Sequence, residues 1–354
     1  MLNTDPHRGS TFFRTLVAKL EECPPHTINR PIALLCLKSL MVGKPEEAEL
    51  APLIQKALDQ TLQGEKTLES GALLEHIRRL EPVLINSIDN PFSPPASEAV
   101  RRLEILSDPA KGKNKISSLP GDRPAITASE FLDKARHVMR LDINGSDSAE
   151  DQELPPLSPT YLWVEDFVTG ALRSTFEPAK GPRLLLLGPG GSRTDPLYAL
   201  RFLDRLKEHG GCPGAMLVYE GATNSRFEQY YTKLREKSPH HIEINTGPEE
   251  DYDSLSNLGA QILFALHPGR FHRDLLPVFR DNVTSGGIAL WQQDCVDVIA
   301  NEEGYHRYLY AILKNFNESF EFLSIPLRSH RPHPMVTAFG NTFPIAILFL
   351  LRRR

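Results

Sequence analysis

The chain has little cysteine, no excess of basic residues and no long apolar run, and each shortage removes a class of protein. Its four cysteines, Cys23, Cys36, Cys212 and Cys295, stand far apart with no C-x-x-C pair. That spacing supplies neither a zinc knuckle nor a disulfide framework, so the expectation is reduced, buried thiols, a cytoplasmic setting and no metal. Lys and Arg number 40 against 45 Asp and Glu, a formal net charge of -5. This excludes a polycationic nucleic-acid or membrane-surface binder and leaves room only for a local basic groove. The longest apolar stretch, residues 343–351, is interrupted by Pro344, and a membrane-spanning helix needs about 20 such residues. The basic tail Arg352-Arg353-Arg354 therefore reads as the solvated end of a buried strand. Residues 1–22 contain Asp5, Glu21 and Glu22 and no uninterrupted apolar segment, so no secretory signal is expected. There is no internal repeat and no long low-complexity segment.

Proline is what the chain has in excess. There are 29 in 354 residues, about 8% against a usual value of about 5%, which predicts many element boundaries and at least one stiff linker. The length favours two domains, and 40% hydrophobic with 24% charged residues describes a globular protein with a real core. Residues 1–145 read as an all-helical N-terminal domain, with helices at 11–22, 31–42, 46–62, 68–88 (broken near Pro82), 97–106 and 131–141. Ser10 or Thr11 is the expected N-cap of the first helix, Asn90 to Pro95 is expected to be a loop, and Thr127-Ala-Ser-Glu has the form of a capping box. Residues 111–122 are polar and lysine-rich and read as a surface loop. Residues 146–158 combine serines, an acidic run, Pro155 and Pro156, a composition that cannot order itself, and serve as the linker.

From residue 159 the pattern alternates. Apolar runs at 184–187, 215–219, 242–244, 261–266 and 288–291 are separated by helical periodicities at 197–209, 227–237 and 274–282. Continuous apolar runs mark parallel strands covered by helices on both faces, so residues 159–354 predict an α/β, doubly wound sheet. Ligands in such sheets bind beyond the carboxyl ends of the strands, which singles out four segments. Gly188 to Asp195, directly after the first run and containing Gly188, Gly190, Gly191 and Ser192, lets backbone N–H groups approach a ligand, and the helix start that follows adds a favourable dipole; an ordinary tight turn is the alternative. Glu220 closes the second run, where a carboxylate can accept both hydroxyls of a ribose, with Asn224 beside it either as a support or as a helix cap. Residues 246–251, with Gly247 and Glu249, could border a base or be a solvated acidic loop. Ala265-Leu266-His267-Pro268-Gly269, together with Gln292-Gln293-Asp294, brings an imidazole and a carboxylate suited to general base work. Beyond these, Arg328, His330, Arg331 and His333 form a basic cluster that could hold an anionic acceptor or merely solvate a hairpin.

The succession Leu-Leu-Leu-Leu-Gly-Pro-Gly-Gly-Ser (184–192), Val-Tyr-Glu-Gly (218–221), an acidic loop, Gln-Ile-Leu-Phe-Ala-Leu-His-Pro-Gly (261–269) and Ser285-Gly286-Gly287 before a strand resembles the class I S-adenosylmethionine-dependent methyltransferases. The resemblance covers residues 159–354. It implies a seven-stranded Rossmann-like sheet whose last two strands are 320–325 and 343–351, the final one antiparallel. It also implies S-adenosylmethionine as cofactor, with Gly188, Gly190, Gly191 and Ser192 cradling the methionine portion. Glu220 and Asn224 would lie at the ribose, and Gly247, Glu249 and Ala265 around the adenine and the pocket floor. His267 and Asp294 are the candidate bases. Tyr161 and Trp163 of the lead-in helix (161–176), with Arg328, His330, Arg331 and His333, are the candidate substrate contacts.

Two positions and one spacing depart from the family pattern. Leu186 stands where an acid is common, Ser192 where the third glycine falls, and 32 residues separate Gly188 from Glu220. The implied activity is methyl transfer to an acceptor, more fittingly a small molecule than a protein or a nucleic acid, with a homodimer among the options. Two alternatives keep the same fold: an inactive interaction protein, and an NAD-dependent oxidoreductase. The last is disfavoured by Arg193 at the third glycine of a G-x-G-x-x-G pattern.

Overall fold

Helix-forming and strand-forming periodicities separate along the chain much as their spacing predicts, and the boundaries shift where proline and capping chemistry decide them. The computed structural model describes residues 7–22, 27–64, 71–108, 110–111, 157, 159–172, 181–188, 194–208, 212–220, 225–246, 255–266, 272–294, 302–329 and 346–354. The expected capping box at Thr127, the helix at 131–141, nearly all of the loop at 111–122 and nearly all of the linker at 146–158 lie outside these residues. Eleven helices and eight strands are described, one strand more than the seven expected.

Two compact units are present. The first comprises residues 1–117 and 297–328, the second 118–296 and 329–354. The return of 297–328 to the first unit is a grouping that a single division near residue 150 does not anticipate.

In the first unit, α1 (Arg8–Glu21) starts three residues before the expected one, with His7 at the N-cap and no side-chain cap. Ser10 and Thr11 lie inside the helix instead of capping it. The helix α2 (Asn29–Met41) is buried on every side from Arg30 onward, as an apolar helix without a polar face must be. The next helix, α3 (Glu47–Gln63), ends at Gly64, whose φ of 77° is the left-handed conformation that favours glycine in this role.

The expected helix at 68–88 is two helices, α4 (Gly71–Arg79) and α5 (Glu81–Asp89). Pro82 sits in the first turn of α5, where its missing N–H is of no consequence. Likewise α6 (Pro94–Ser107) begins earlier than predicted, because Ser93 caps it. The Ser93 hydroxyl accepts from the Ala96 N–H at 3.3 Å, and Pro94 and Pro95 occupy the first turn rather than a loop.

The same unit contains α11 (Glu302–Phe316), β6 (Phe320–Phe322) and the first two residues of β7 (Leu327–Ser329). Tyr305, Leu309, Ile312, Leu313 and Phe316 are wholly buried. Polar ties hold this returning segment to α2 and α3. Lys38 Nζ lies 2.6 Å from Glu321 Oε1, the Ser39 hydroxyl accepts from the Ile325 N–H at 2.7 Å, and Asn317 Nδ2 donates to Asp59 at 2.7 Å.

The second unit holds α7 (Pro159–Leu172), β1 (Arg183–Leu187), α8 (Thr194–Glu208), β2 (Ala215–Glu220), α9 (Ser225–Lys237), β3 (His241–Thr246), β4 (Ala260–Ala265), α10 (His272–Asn282), β5 (Val283–Asp294) and β8 (Ala346–Arg353). Its strands run in the order β3-β2-β1-β4-β5-β8, all parallel except β8, which is antiparallel to β5. The turn expected at Gly286-Gly287 is instead part of β5. Gly286 takes a φ of 78° and the register against β4 shifts there, so the strand bends without ending. The order reverses between β1 and β4, which fixes the carboxyl ends of these two strands as the crevice of the sheet.

No described helix is long and apolar enough to cross a membrane. Replacement Ser39→Ala removes the acceptor of a buried backbone N–H and is expected to lower unfolding free energy by roughly 1–3 kcal/mol. Urea denaturation, with faster exchange of the Ile325 amide, is the check.

Candidate functional site

The crevice is built from strand ends. Leu184 to Leu187 are buried because β1 lies between β2 and β4 with helices over the sheet. The chain must then turn sharply to enter α8, and Gly188 does so with a φ of 51°. Its N–H donates to the Tyr219 carbonyl at 2.8 Å, which locks the beginning of the turn against the end of β2. The next residue of β2, Glu220, is the last of that strand. It pairs in register with Thr246 and is 5% exposed. A left-handed glycine and a buried carboxylate thus occupy adjacent parallel strand ends. Asp195, in the first turn of α8, is a second carboxylate with no exposure. Tyr231 of α9 is buried beside them. Burial, then the charges of Tyr230, Glu220 and Asp195, push its phenol pKa well above the usual range, so it stays protonated.

Aromatic side chains pack around the ends of β4 and β5. Ala265 ends β4, is wholly buried and pairs with Trp291 of β5. Tyr161 of α7 is buried too, and its hydroxyl is hydrogen-bonded to Gln292 Oε1. Its ring meets Tyr198 edge-on at 5.2 Å, and Tyr198 in turn stacks on Phe264 at 5.6 Å. The buried Glu165 anchors α7 to α8 through Arg201 at 2.8 Å and Arg205 at 2.9 Å. Tyr161 therefore packs as a wall of the sheet's helical cover. Trp163 is half-buried and stacks on Phe167 at 4.8 Å.

The expected site residues fall into three groups. Gly188, Glu220 and Ala265 stand at the carboxyl ends of β1, β2 and β4, and Asp294 closes β5. Gly190, Gly191, Ser192, Asn224, Gly247, Glu249, His267, His330, Arg331 and His333 lie outside the described residues. Arg328 falls in the first unit. There its guanidinium is buried, 3.6 Å from Glu98 and 5.8 Å from the centre of the Tyr305 ring, and Glu98 also binds Arg102 at 2.6 Å. No group of three or more His, Cys, Asp or Glu among the described residues could hold a metal.

Asp195 closes the first of the four expected ligand segments and Gln292 lies in the fourth, but the sequence assigns neither a role of its own. Thr194-Asp195-Pro196 looks like an ordinary helix start, and only the burial of the carboxylate distinguishes it. Gln292 is legible only as part of a polar strand end, and its pairing with Tyr161 spans 131 positions.

No protein-family model matches the chain, and no curated protein matches it in sequence. Among solved structures it is similar to fibrillarin from Aeropyrum pernix in complex with natively bound S-adenosyl-L-methionine, at 15% identity, covering 57% of this chain and 85% of that one with a TM-score of 0.35. It is also similar to a putative rRNA-methylase from Clostridium thermocellum (13% identity, 56% and 97% covered, TM-score 0.34). A third is precorrin-6y C5,15-methyltransferase from Geobacter metallireducens GS-15 (12%, 59% and 97%, TM-score 0.33). Likeness at this level carries no argument by itself, and the functional reading rests on the strand order and the residues at its edge.

Gly188→Ala forces a side chain into the left-handed region and should cost about 1–2 kcal/mol of stability. Chemical denaturation of the two proteins side by side measures it.

Proposed function

We propose that the second unit binds S-adenosylmethionine across the carboxyl ends of β1 and β2 and catalyses methyl transfer, to a small-molecule acceptor in preference to nucleic acid. The observation that carries this reading is the pairing of left-handed Gly188 with buried Glu220 on adjacent parallel strands, beside the reversal of strand order. A backbone turn without side chains lets N–H groups approach the amino-acid portion of a ligand. One strand over, a carboxylate accepts from a pair of vicinal hydroxyls. The sequence order 184–192 and 218–221 supports the same assignment.

In this reading Gly188, Gly190, Gly191 and Ser192 hold the methionine portion, and Glu220 with Asn224 orients the ribose. Gly247 and Glu249 border the adenine, and Ala265 leaves an apolar floor beneath it. Bound there, the sulfonium supplies a methyl group to an aligned nucleophile, its sulfur keeping the electron pair of the broken S–C bond. The chain's own work is alignment and exclusion of water. A base is required only when the acceptor has a proton to lose, as a hydroxyl does, and His267 and Asp294, just beyond β4 and at the end of β5, are assigned that role. The balanced charge of the chain disfavours a nucleic-acid acceptor.

Titration calorimetry of the full chain with S-adenosylmethionine is the test. Saturable binding is expected, and Glu220→Ala should weaken it about tenfold or more, the loss of hydrogen bonds to a charged group. Binding of NAD alone, or of no nucleoside, overturns the reading.

A further inference from the structure

At the amino ends of the strands in the second unit, opposite the crevice, stands a histidine with both ring nitrogens committed. His240 lies between α9 and β3, and its side chain has no exposure. Its own N–H is held by the Ser238 hydroxyl at 3.1 Å. The ring Nδ1 is 2.9 Å from the backbone nitrogen of Gly214, and Nε2 is 2.9 Å from Asp204 Oδ1 of α8. A backbone N–H donates and never accepts, so Nδ1 must be the bare nitrogen. The proton of the neutral ring is therefore on Nε2, which donates it to Asp204.

The bond to Gly214 falls where three strands begin. The Gly214 carbonyl accepts from the His241 N–H at 3.0 Å, at the head of β3. The next residue, Ala215, opens β2 and donates its N–H to the Pro182 carbonyl at 2.9 Å, one residue before β1. The backbones approach closely there: a Cβ on Gly214 would come within 2.5 Å of the Pro182 carbonyl oxygen. A buried N–H in such a place is costly to leave without its acceptor.

We propose that His240 is an acid-sensitive latch: a proton on Nδ1 sets two donors face to face and releases the Gly214 N–H, loosening the head of β2 from its neighbours. Asp204 cannot prevent this, because it is bonded to the nitrogen that already has a proton. The closed latch takes up no proton at Nδ1 and the open one does. Acid therefore favours the open form, and the stability the latch contributes is present at higher pH and lost as pH falls through the range in which imidazole charges. Among the described residues, Asp204 is the only ionisable one hydrogen-bonded to the ring. The elements around it also carry Lys207 on α8, Lys237 at the end of α9, the exposed His241 on β3 and the exposed Cys212 before β2. Two nearby arginines are committed to backbone, Arg235 to the Ile242 carbonyl at 2.9 Å and Arg183 to the Leu258 carbonyl at 2.7 Å. The latch requires no ligand and is independent of the methyltransferase reading.

Two measurements on the full chain test it. Proton–nitrogen correlation spectra with isotope-labelled histidine, assigned by the signal missing from His240→Asn, are expected to show the Nε2–H tautomer of His240 at about pH 8. Hydrogen exchange at the Gly214 amide, corrected for the chemical rate at each pH, is expected to quicken by about tenfold or more between about pH 8 and about pH 5. Asparagine offers a carbonyl oxygen in the place of Nδ1 and does not titrate, so the quickening should vanish in His240→Asn. An Nδ1–H tautomer, a Gly214 amide whose corrected exchange ignores pH, or an equal response in the variant overturns the latch. If the variant does not fold, the tautomer is assigned from the ring's contacts in the unaltered chain, and its spectra and exchange decide alone.

Discussion

The second unit depends on β1 being held by parallel neighbours on both edges. A strand in that position has both rows of backbone groups in ladders and both faces under helices, so every side chain from Leu184 to Leu187 must be apolar. The constraint also decides how the chain leaves the strand. From a central position it has to clear the sheet and reverse into a covering helix within a few residues, and only a residue tolerant of positive φ starts that reversal cheaply. Gly188 is the outcome, and its N–H bond to Tyr219 ties the turn to the strand that ends in Glu220. The candidate site is thus a consequence of sheet geometry before it is a set of side chains.

Much of this is readable from the residues. Continuous apolar runs identify β1, β2 and β4 nearly to their ends, since no other element of four to six residues is buried on both faces. The position of Glu220 comes from the end of its run. The failures have physical causes too. Gly286-Gly287 reads as a turn because glycine pairs usually make one, and nothing local reveals that β5 bends through them with its ladder shifted. The starts of α5 and α6 are missed when prolines are read as breakers, although in a first turn they are helix formers. Long-range polar pairs such as Tyr161 with Gln292 have no signature in either segment alone.

Arg328 shows how the packing of a charge can escape a reading of the sequence. By its neighbours in the chain, Arg328 resembles a solvated cation available to an anionic acceptor. Its guanidinium is instead buried against Glu98 and Tyr305 in the first unit, with Arg102 on the same carboxylate and 4.0 Å from the centre of the same ring. Burial also pushes the neighbouring Cys36 thiol far above its ordinary range, leaving it an inert packing group. The helix α11 is absent from the sequence expectations, although Tyr305, Leu309, Ile312 and Phe316 fall at helical spacing. Its apolar face serves the helices of the first unit, and a reading that divides the chain once has no place for it.

The antiparallel pairing of β8 with β5 has a temporal side. Residues 288–294 of β5 find their second partner only in residues 346–352, more than fifty positions later. During synthesis on the ribosome, β5 therefore waits with one row of N–H and C=O groups open while α11 and the strands after it are made. An unpaired strand edge of that kind is open to pairing with other chains until its late partner is made.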